Sequence, residues 1–382
     1  MKRTHFDAQH DRFRDDVRNF VESEIAPYNE DWTLQGIVPR ELFARAGAAG
    51  MLNKTLPEAY GGTGKSDFRF NQILGEELAE GGFAAVGLGI TLHTDICIPY
   101  LQNLATDEQK ERWFPGVGSG EIITAIGMTE PEIGSDLASM TTTAMREGDH
   151  FVVNGVKTLI SNGINGDLNI VAVKTDPSKK HKGISLLVVE RDMEGFEYGT
   201  NLKKIGLNAQ DTGEWHFNNV EVPVNNLLGE EGKGFIHLMN NLPSERLSMA
   251  SYGVAAARKA LHWGLEWVRK RKAFGKPIGS FQNTKFHLAE IATEVEIAQA
   301  FIDRCVMAFN AGELSAVDAS KAKWWCTEMQ GRALDTVLQL HGGWGYLTEQ
   351  SVSRAWVDAR ISRIYGGTTE IMKEVISRDL GL

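Results

Sequence analysis

Glu245, in the string LPSERLSMA (242–250), is one of the carboxylates that could move a proton. A positioned carboxylate serves as a general base toward a weak carbon acid when its surroundings raise its basicity. The same residue, two places after Pro243, equally describes a first-turn acid that complements a helix dipole. Gly134-Ser135-Asp136, which follows Pro131 in GMTEPEIGSD (127–136), is a tight turn with exposed amides and a hydroxyl. Such turns can hydrogen-bond an anion or a flat heteroaromatic edge, but are often only turns. Arg271 opens RKAFGKPIGSFQ (271–282), and a planar permanent cation suits a diphosphate, or simply caps a helix end in water. In QLHGGWGY (339–346), Gly342-Gly343 lets backbone come close to such a group.

Several chemistries are excluded. No GxGxxG follows a strand, and GVGSGE (116–121) fails at its last position, so a Rossmann dinucleotide site is unsupported. Cys97, Cys305 and Cys326 are far apart with no CxxC, which argues against a disulfide framework or zinc site and for a reducing compartment. No HExxH pair is present, and no metal is expected. With 40 basic against 50 acidic residues, a net charge of −10, the chain lacks the clustered cations of a nucleic-acid surface. Its longest basic run, Arg269 to Lys272, suits one anion. The opening MKRTHFDAQHDRFRDD does not read as a signal peptide, and no run reads as a membrane span. A bacterial cytoplasm is expected, with a mature mitochondrial matrix form as the alternative.

These residues need a scaffold of more than one core, because 382 residues exceed the usual single domain. Phe6, Phe13, Val17, Phe20, Val21 and Ile25 recur at helical spacing, predicting an amphipathic helix that ends before Pro27. Helices are expected at 41–49 and 68–80, and the Gly-rich apolar stretch 81–101 suits a buried helix lining a cavity or plain core. From about residue 122, IITAIGM, HFVVNGVKTLI, NIVAV, GISLLVVE and EWHFNNVEV read as strands, with Asn154-Gly155 as a hairpin signal. Helices do not alternate with them, which predicts an antiparallel sandwich or barrel. After Gly234 helices return, at 243–271, 282–311, 317–341, 350–360 and 369–379, in the manner of a bundle. The expected class is α+β: a helical domain over 1–121, a β domain over 122–233 and a four-helix-bundle-like domain over 234–382.

GMTEPEIGSD, NGVKTLISNG (154–163), QDTGEWHFNNVEVPVNNLLGEEGKGF (210–235), RKAFGKPIGSFQ, QLHGGWGY and IYGGTTEIM (364–372) occur in order along nearly the whole chain. Together they resemble the acyl-CoA dehydrogenase family, closest to its long-chain branch. The resemblance implies FAD as cofactor. Met128, Thr129, Leu159 and Ser161 would border the flavin ring, and Ser135 would lie between cofactor and thioester. Arg271, Phe274, Gln282, Gln339 and Gly343 would reach a neighbouring subunit's FAD, with Thr368 and Glu370 near the adenine end. A homotetramer and an electron-transfer flavoprotein as acceptor go with this, as does fatty-acid β-oxidation.

Most relatives carry their base as the Glu of YEGT, where this chain has Tyr365-Gly366-Gly367-Thr368. The long-chain and isovaleryl branches place it on the helix opening the C-terminal domain, and Glu245 stands at that position. The resemblance therefore implies removal of the α-proton of a medium to long acyl-CoA by Glu245, with the β-hydride passing to flavin N5 to leave the trans-2-enoyl-CoA. The backbone N–H of Gly366 would bond the thioester carbonyl, and Tyr365 and Arg246 would flank the substrate, Arg246 through helix packing or an ion pair. Two positions depart from the family: Glu132 replaces a usual Gly, and Leu159 a usual aromatic. Gly81, Gly82, Gly87 and Gly89 are expected along the acyl tunnel. The alternatives are an oxygen-using flavin oxidase or monooxygenase of the same fold, and a non-enzymatic acyl-CoA-binding protein.

Overall fold

The computed structural model describes residues 2–382. The chain opens with α1 (Ala8–Phe20), started by an Asp7 capping box and extended by a π-turn, Val21–Ile25. Phe13, Val17, Phe20, Val21 and Ile25 are all buried, as their spacing predicts. Then come α2 (Asn29–Gln35), α3 (Glu41–Ala48), α4 (Phe68–Gly81), α5 (Ala84–Thr91), α6 (Ile98–Leu104) and α7 (Asp107–Ser119). The apolar stretch after α4 is not one regular helix. Gly82 at φ 82° ends α4, and the π-turn Leu92–Cys97 joins α5 to α6. Contrary to the sequence expectation, Ala84–Leu104 is long and apolar enough to cross a membrane, but 78% of that window is buried in this protein.

The strands are β1 (Thr124–Gly127), β2 (Thr143–Glu147), β3 (His150–Ser161), β4 (Leu168–Lys174), β5 (Ile184–Glu190), β6 (Phe196–Tyr198), β7 (Thr212–Pro223) and β8 (Leu227–Leu228). They form one sheet in the order β6-β7-β3-β2-β4-β5-β8, with β1 beside β4. Pairing is mainly antiparallel, but β1 and the start of β2 run parallel to β4, a departure from the all-antiparallel expectation. β4 and β5 read as continuous apolar runs because both of their faces are covered. Ile170, Ala172, Leu186 and Val188 meet Trp113 and Phe114 of α7, while Val171, Val173, Leu187 and Val189 meet Phe151, Trp215 and Val222.

Asn154-Gly155 is not a hairpin turn. It lies within β3 at a register shift against β7, and Gly155 takes φ 144° because a Cβ there would sit 2.6 Å from Thr142 Oγ1. Both turn formers and bulges need positive φ, so the dipeptide alone did not separate them.

The C-terminal part comprises α8 (Gly234–Lys270), the two-residue strands β9 (Lys272–Ala273) and β10 (Lys276–Pro277), α9 (Gln282–Asn310), α10 (Ala316–His341), α11 (Ser351–Ala359) and α12 (Thr369–Asp379). α8 starts nine residues earlier than the expected 243 and carries Pro243 inside it. A proline removes one helical N–H and usually marks a start, but here packing carries the helix through it. Val254, Ala257, Ala333 and Val337 belong to the core that joins α8 to α10, and Phe68 ties α4 to the same core.

Candidate active site

Glu245 lies in the twelfth position of α8, not in its first turn, so the dipole reading of this acid does not hold. Its side chain is 2% exposed, and its Oε1 accepts a 2.8 Å hydrogen bond from the buried Tyr100 hydroxyl of α6. Burial pushes its carboxyl up to about 7, against the opposing pull of the Tyr100 hydrogen bond and Arg246. A carboxyl with that affinity is half ionised near neutrality and is a stronger base than an exposed one. One turn on, Ser248 donates to Asp95 of the π-turn, whose carboxyl burial pushes up to about 6. That contact fixes α8 against the N-terminal helices beside Glu245.

Gly366 faces α8. It takes φ 62°, and a Cβ built there would lie 2.4 Å from both Sδ and Cε of Met249. Met249 is four residues after Glu245, on the same side of the helix. The space a Gly366 side chain would need is therefore filled from α8. The Gly366 N–H donates to no group among the described residues. Its loop is held from below by Lys323, a fully buried lysine of α10 whose Nζ donates to the Gly367 carbonyl at 2.7 Å. Burial, with Arg246 nearby, brings that lysine down to about 8. Among the described residues Arg246 makes no ion pair: its Nη1 donates to Ser320 at 3.1 Å, tying α8 to α10, and its buried Nε has no partner there.

The β domain assembles a second group. The Thr158 N–H donates to the Thr129 carbonyl at 3.0 Å, which sets Met128-Thr129 beside Leu159–Ser161. A register jump between Lys157 and Ile160 puts Leu159 at φ 59° and leaves its side chain 63% exposed. The Thr129 and Ser161 hydroxyls make no hydrogen bond among the described residues. An apolar platform flanked by two free hydroxyls fits a flat ring with polar edges, which is what a flavin presents. Beneath it, the buried Lys157 and Glu130 pair at 2.8 Å, and Glu130 also accepts from Thr141 and Thr142. Ser135 and Glu132 are both exposed; Glu132 points to solvent.

The remaining predicted residues lie at the surface. Trp267 stacks on His341 at 4.5 Å and donates to the Leu340 carbonyl, bringing the end of α8 to the end of α10. Arg271 and the Gln339–Gly343 turn thus sit at one end of the helical domain. Phe274 at φ 51° is 95% exposed, its ring centroid 6.2 Å from that of Phe281, while Arg271, Gln282, Gln339, Gly343 and Glu370 are also exposed. Thr368 caps α12 by accepting from the Ile371 N–H. No hydrogen bond links this group to Thr129 or Ser161 among the described residues.

A cleft of about 750 Å³, part of it open to solvent, runs between α4, α5, α8, α10 and α11. Ser248, Met249 and Tyr365 line it near Glu245, and Gly82, Lys259 and Trp263 line it far from Glu245 along α8. Of the four glycines expected along a tunnel, only Gly82 borders this cleft. A Cβ on Gly87 would meet Leu78 and the cleft-lining Tyr252, and one on Gly89 would meet Gln210 and Asn162 of the β domain. Sequence reasoning missed Tyr100 and Met249. Tyr100 belongs to no motif and Met249 only shares the LPSERLSMA string with Glu245, so their placement opposite Glu245 and Gly366 is what marks them.

Three family models match in succession: the acyl-CoA dehydrogenase N-terminal domain over residues 7–121, the middle domain over 125–220 and the C-terminal domain over 232–381. The chain belongs to the acyl-CoA dehydrogenase family, whose members are FAD flavoproteins, and it is an enzyme that dehydrogenates an acyl-CoA. It is 42% identical over 377 residues to the mitochondrial long-chain specific acyl-CoA dehydrogenase of Rattus norvegicus, covering 98% of this chain and 87% of the rat protein. An acyl-CoA dehydrogenase from Geobacillus kaustophilus superposes with a TM-score of 0.97 at 46% identity, each chain fully covered. Butyryl-CoA dehydrogenase from Megasphaera elsdenii superposes at 0.95 with 31% identity, also over the full length of both chains.

Proposed function

We propose that this chain oxidises saturated acyl-CoAs of medium to long chain to their trans-2-enoyl-CoAs, with Glu245 taking the α-proton. The observation that carries this reading is the pairing of Glu245 with Gly366. The carboxylate stands on α8, and Met249, one turn along that helix, fills the space a side chain at 366 would occupy. A base at Glu245 is supported further by its burial, which raises its proton affinity to about 7. The unpaired Gly366 N–H is suited to bond the thioester carbonyl, where negative charge gathers as the α-proton leaves. Lys323 keeps that N–H in place through the Gly367 carbonyl. Thr129, Leu159 and Ser161 would hold the ring of FAD, which supplies the acceptor for the β-hydride. Tyr365 lines the cleft beside the reacting carbons, and Ser135 stands on the exposed turn where the thioester enters.

A medium to long chain is supported by the likeness to the rat long-chain enzyme and by a cleft that extends along α8 as far as Trp263. We further propose domain limits at 1–121, 122–233 and 234–382. Exposure of Arg271, Phe274, Gln282, Gln339 and Gly343 supports a homotetramer in which they complete a neighbour's FAD site, with Thr368 and Glu370 toward its adenine. An electron-transfer flavoprotein as acceptor, a role in fatty-acid β-oxidation and a bacterial cytoplasmic location rest on the resemblance.

The test is an anaerobic titration of the flavin-loaded protein with saturated acyl-CoAs of increasing length, following loss of flavin absorbance. Bleaching that is most efficient between about eight and eighteen carbons, the upper limit being what a cleft running roughly 22 Å along α8 from Ser248 to Trp263 admits, supports the reading. Bleaching confined to four carbons, or none at any length, rejects it.

A further inference from the structure

The cleft along α8 is mostly apolar, yet among the residues that line it are Gln330, Tyr252 and Asp358, each with a polar atom that bonds nothing among the described residues. Gln330 of α10 is 3% exposed, lines the cleft, and makes no side-chain hydrogen bond; its Oε1 is buried and unpaired. The Tyr252 hydroxyl of α8 also lines the cleft and bonds nothing among the described residues. Asp358 of α11 uses only Oδ1, accepting from the Leu207 N–H at 2.6 Å. Gln330 Oε1 is a buried orphan of a kind that folded proteins avoid, while Tyr252 and Asp358 are only partly buried. An amide, a phenol and a carboxylate oxygen from three helices meeting in one cleft point to a ligand that donates and accepts hydrogen bonds there.

Their position gives the place on that ligand. Gln330 Oε1 lies 3.6 Å from where a Gly253 Cβ would be, so it stands level with residues 252–253 of α8. These follow Glu245 by seven and eight residues, roughly 11 Å of helix rise. An extended hydrocarbon covers that distance in about nine carbons, given C–C bonds of roughly 1.5 Å in a zigzag.

Resting on the acyl-CoA dehydrogenase reading above, we propose that the cleft is built for acyl chains bearing a hydroxyl group about ten to twelve carbons from the thioester. Gln330 and Tyr252 bond that hydroxyl, and the second oxygen of Asp358 offers a further acceptor. A plain alkyl chain leaves the Gln330 amide and the Tyr252 hydroxyl unpaired in the complex, so the hydroxylated chain gains relative to it. Sites that hydrogen-bond a substrate hydroxyl discriminate more sharply than apolar pockets do.

The experiment compares octadecanoyl-CoA with 12-hydroxyoctadecanoyl-CoA, each enantiomer separately, on the flavin-loaded protein. It reads kcat/KM for anaerobic flavin reduction, and dissociation constants on the Glu245→Gln holoenzyme. In wild type at least one hydroxylated enantiomer should match or exceed the plain chain in both readouts. In Gln330→Leu and Tyr252→Phe, alone and combined, the ratio of hydroxylated to plain should fall, by about tenfold in the double variant. The single variants serve if the double does not fold. Rejection of both enantiomers in wild type, or an unchanged ratio in the variants, overturns the proposal, since the orphans then hold only water. Oxidation of the plain chain alongside rejection of the hydroxylated ones would leave the acyl-CoA reading intact; failure with both sinks the two together.

Discussion

Replacing Tyr100 with Phe should move the acid limb of activity while leaving the alkaline plateau near its wild-type height. Tyr100 donates a 2.8 Å bond to Glu245 and has no charge of its own to lose, because burial and the nearby carboxylate keep its phenol protonated. A hydrogen bond to a charged group contributes about 1.5–3 kcal/mol. It favours the ionised carboxylate, and one pKa unit is about 1.4 kcal/mol. Losing it should therefore raise the Glu245 pKa by about one to two units above its starting value near 7. The assay is kcat/KM against pH, which reports the free enzyme. At pH 6 the variant should fall about ten- to a hundredfold below wild type, and the deficit should close as pH approaches 10. A uniform loss at every pH, with the limb unmoved, would refute the assignment of Tyr100 as the partner that sets the base.

Other consequences follow from the same geometry. Gly366→Ala puts a Cβ into Met249 at a positive φ and should destabilise by about 1–3 kcal/mol; pairing it with Met249→Ala should recover part of the loss in denaturant melts. Glu130→Gln leaves the buried Lys157 charge uncompensated, at a cost of about 3–5 kcal/mol. Flavin content after gel filtration should drop with it, since this pair underlies Thr129 and Ser161. Lys157 and its hydrogen bonds hold Glu130 down to about 2 although burial alone would raise it. Its contribution should be intact above about pH 4.5 and lost as pH falls toward 2. Glu245 runs the other way. With a folded pKa near 7 against about 4.5 unfolded, the native state holds the extra proton, so its contribution is full below pH 4.5 and lost as pH rises through 7. Glu245→Gln should therefore gain on wild type by about 3 kcal/mol between pH 5 and pH 8, read by denaturant unfolding of the flavin-free protein. No change in that gap with pH would argue against a desolvated carboxyl.

The limits of the long helices were legible because apolar periodicity marks burial directly: α9 and α10 fall within a residue or so of expectation. Pro243 was misleading, since proline is a local signal and the packing of α8 against α10 is not. Asn154-Gly155 failed for a similar reason. Both residues advertise permissive backbone, and only the partner strand decides between a turn and a bulge. Of the site, Glu245 could be found from the exchange of Glu for Gly in the C-terminal string. Tyr100 and Met249 could not, because an isolated apolar or aromatic residue in a buried segment carries no sign of what lies opposite. The glycines of α5 do not line the cleft themselves, because small size shows close approach without saying to what: Gly87 approaches Leu78 and the cleft-lining Tyr252. Gly89 approaches Gln210 and Asn162 of the β domain, away from the acyl cleft.

The central claim is that the base stands on α8, and the direct measurement is rapid anaerobic mixing of flavin-loaded wild type and Glu245→Gln with a saturated long-chain acyl-CoA, with calorimetry for binding. Wild type should bleach, and the variant should bind the ligand comparably but bleach roughly a hundred- to ten-thousandfold more slowly. A variant that binds and bleaches within a few-fold of wild type would place the proton abstraction elsewhere.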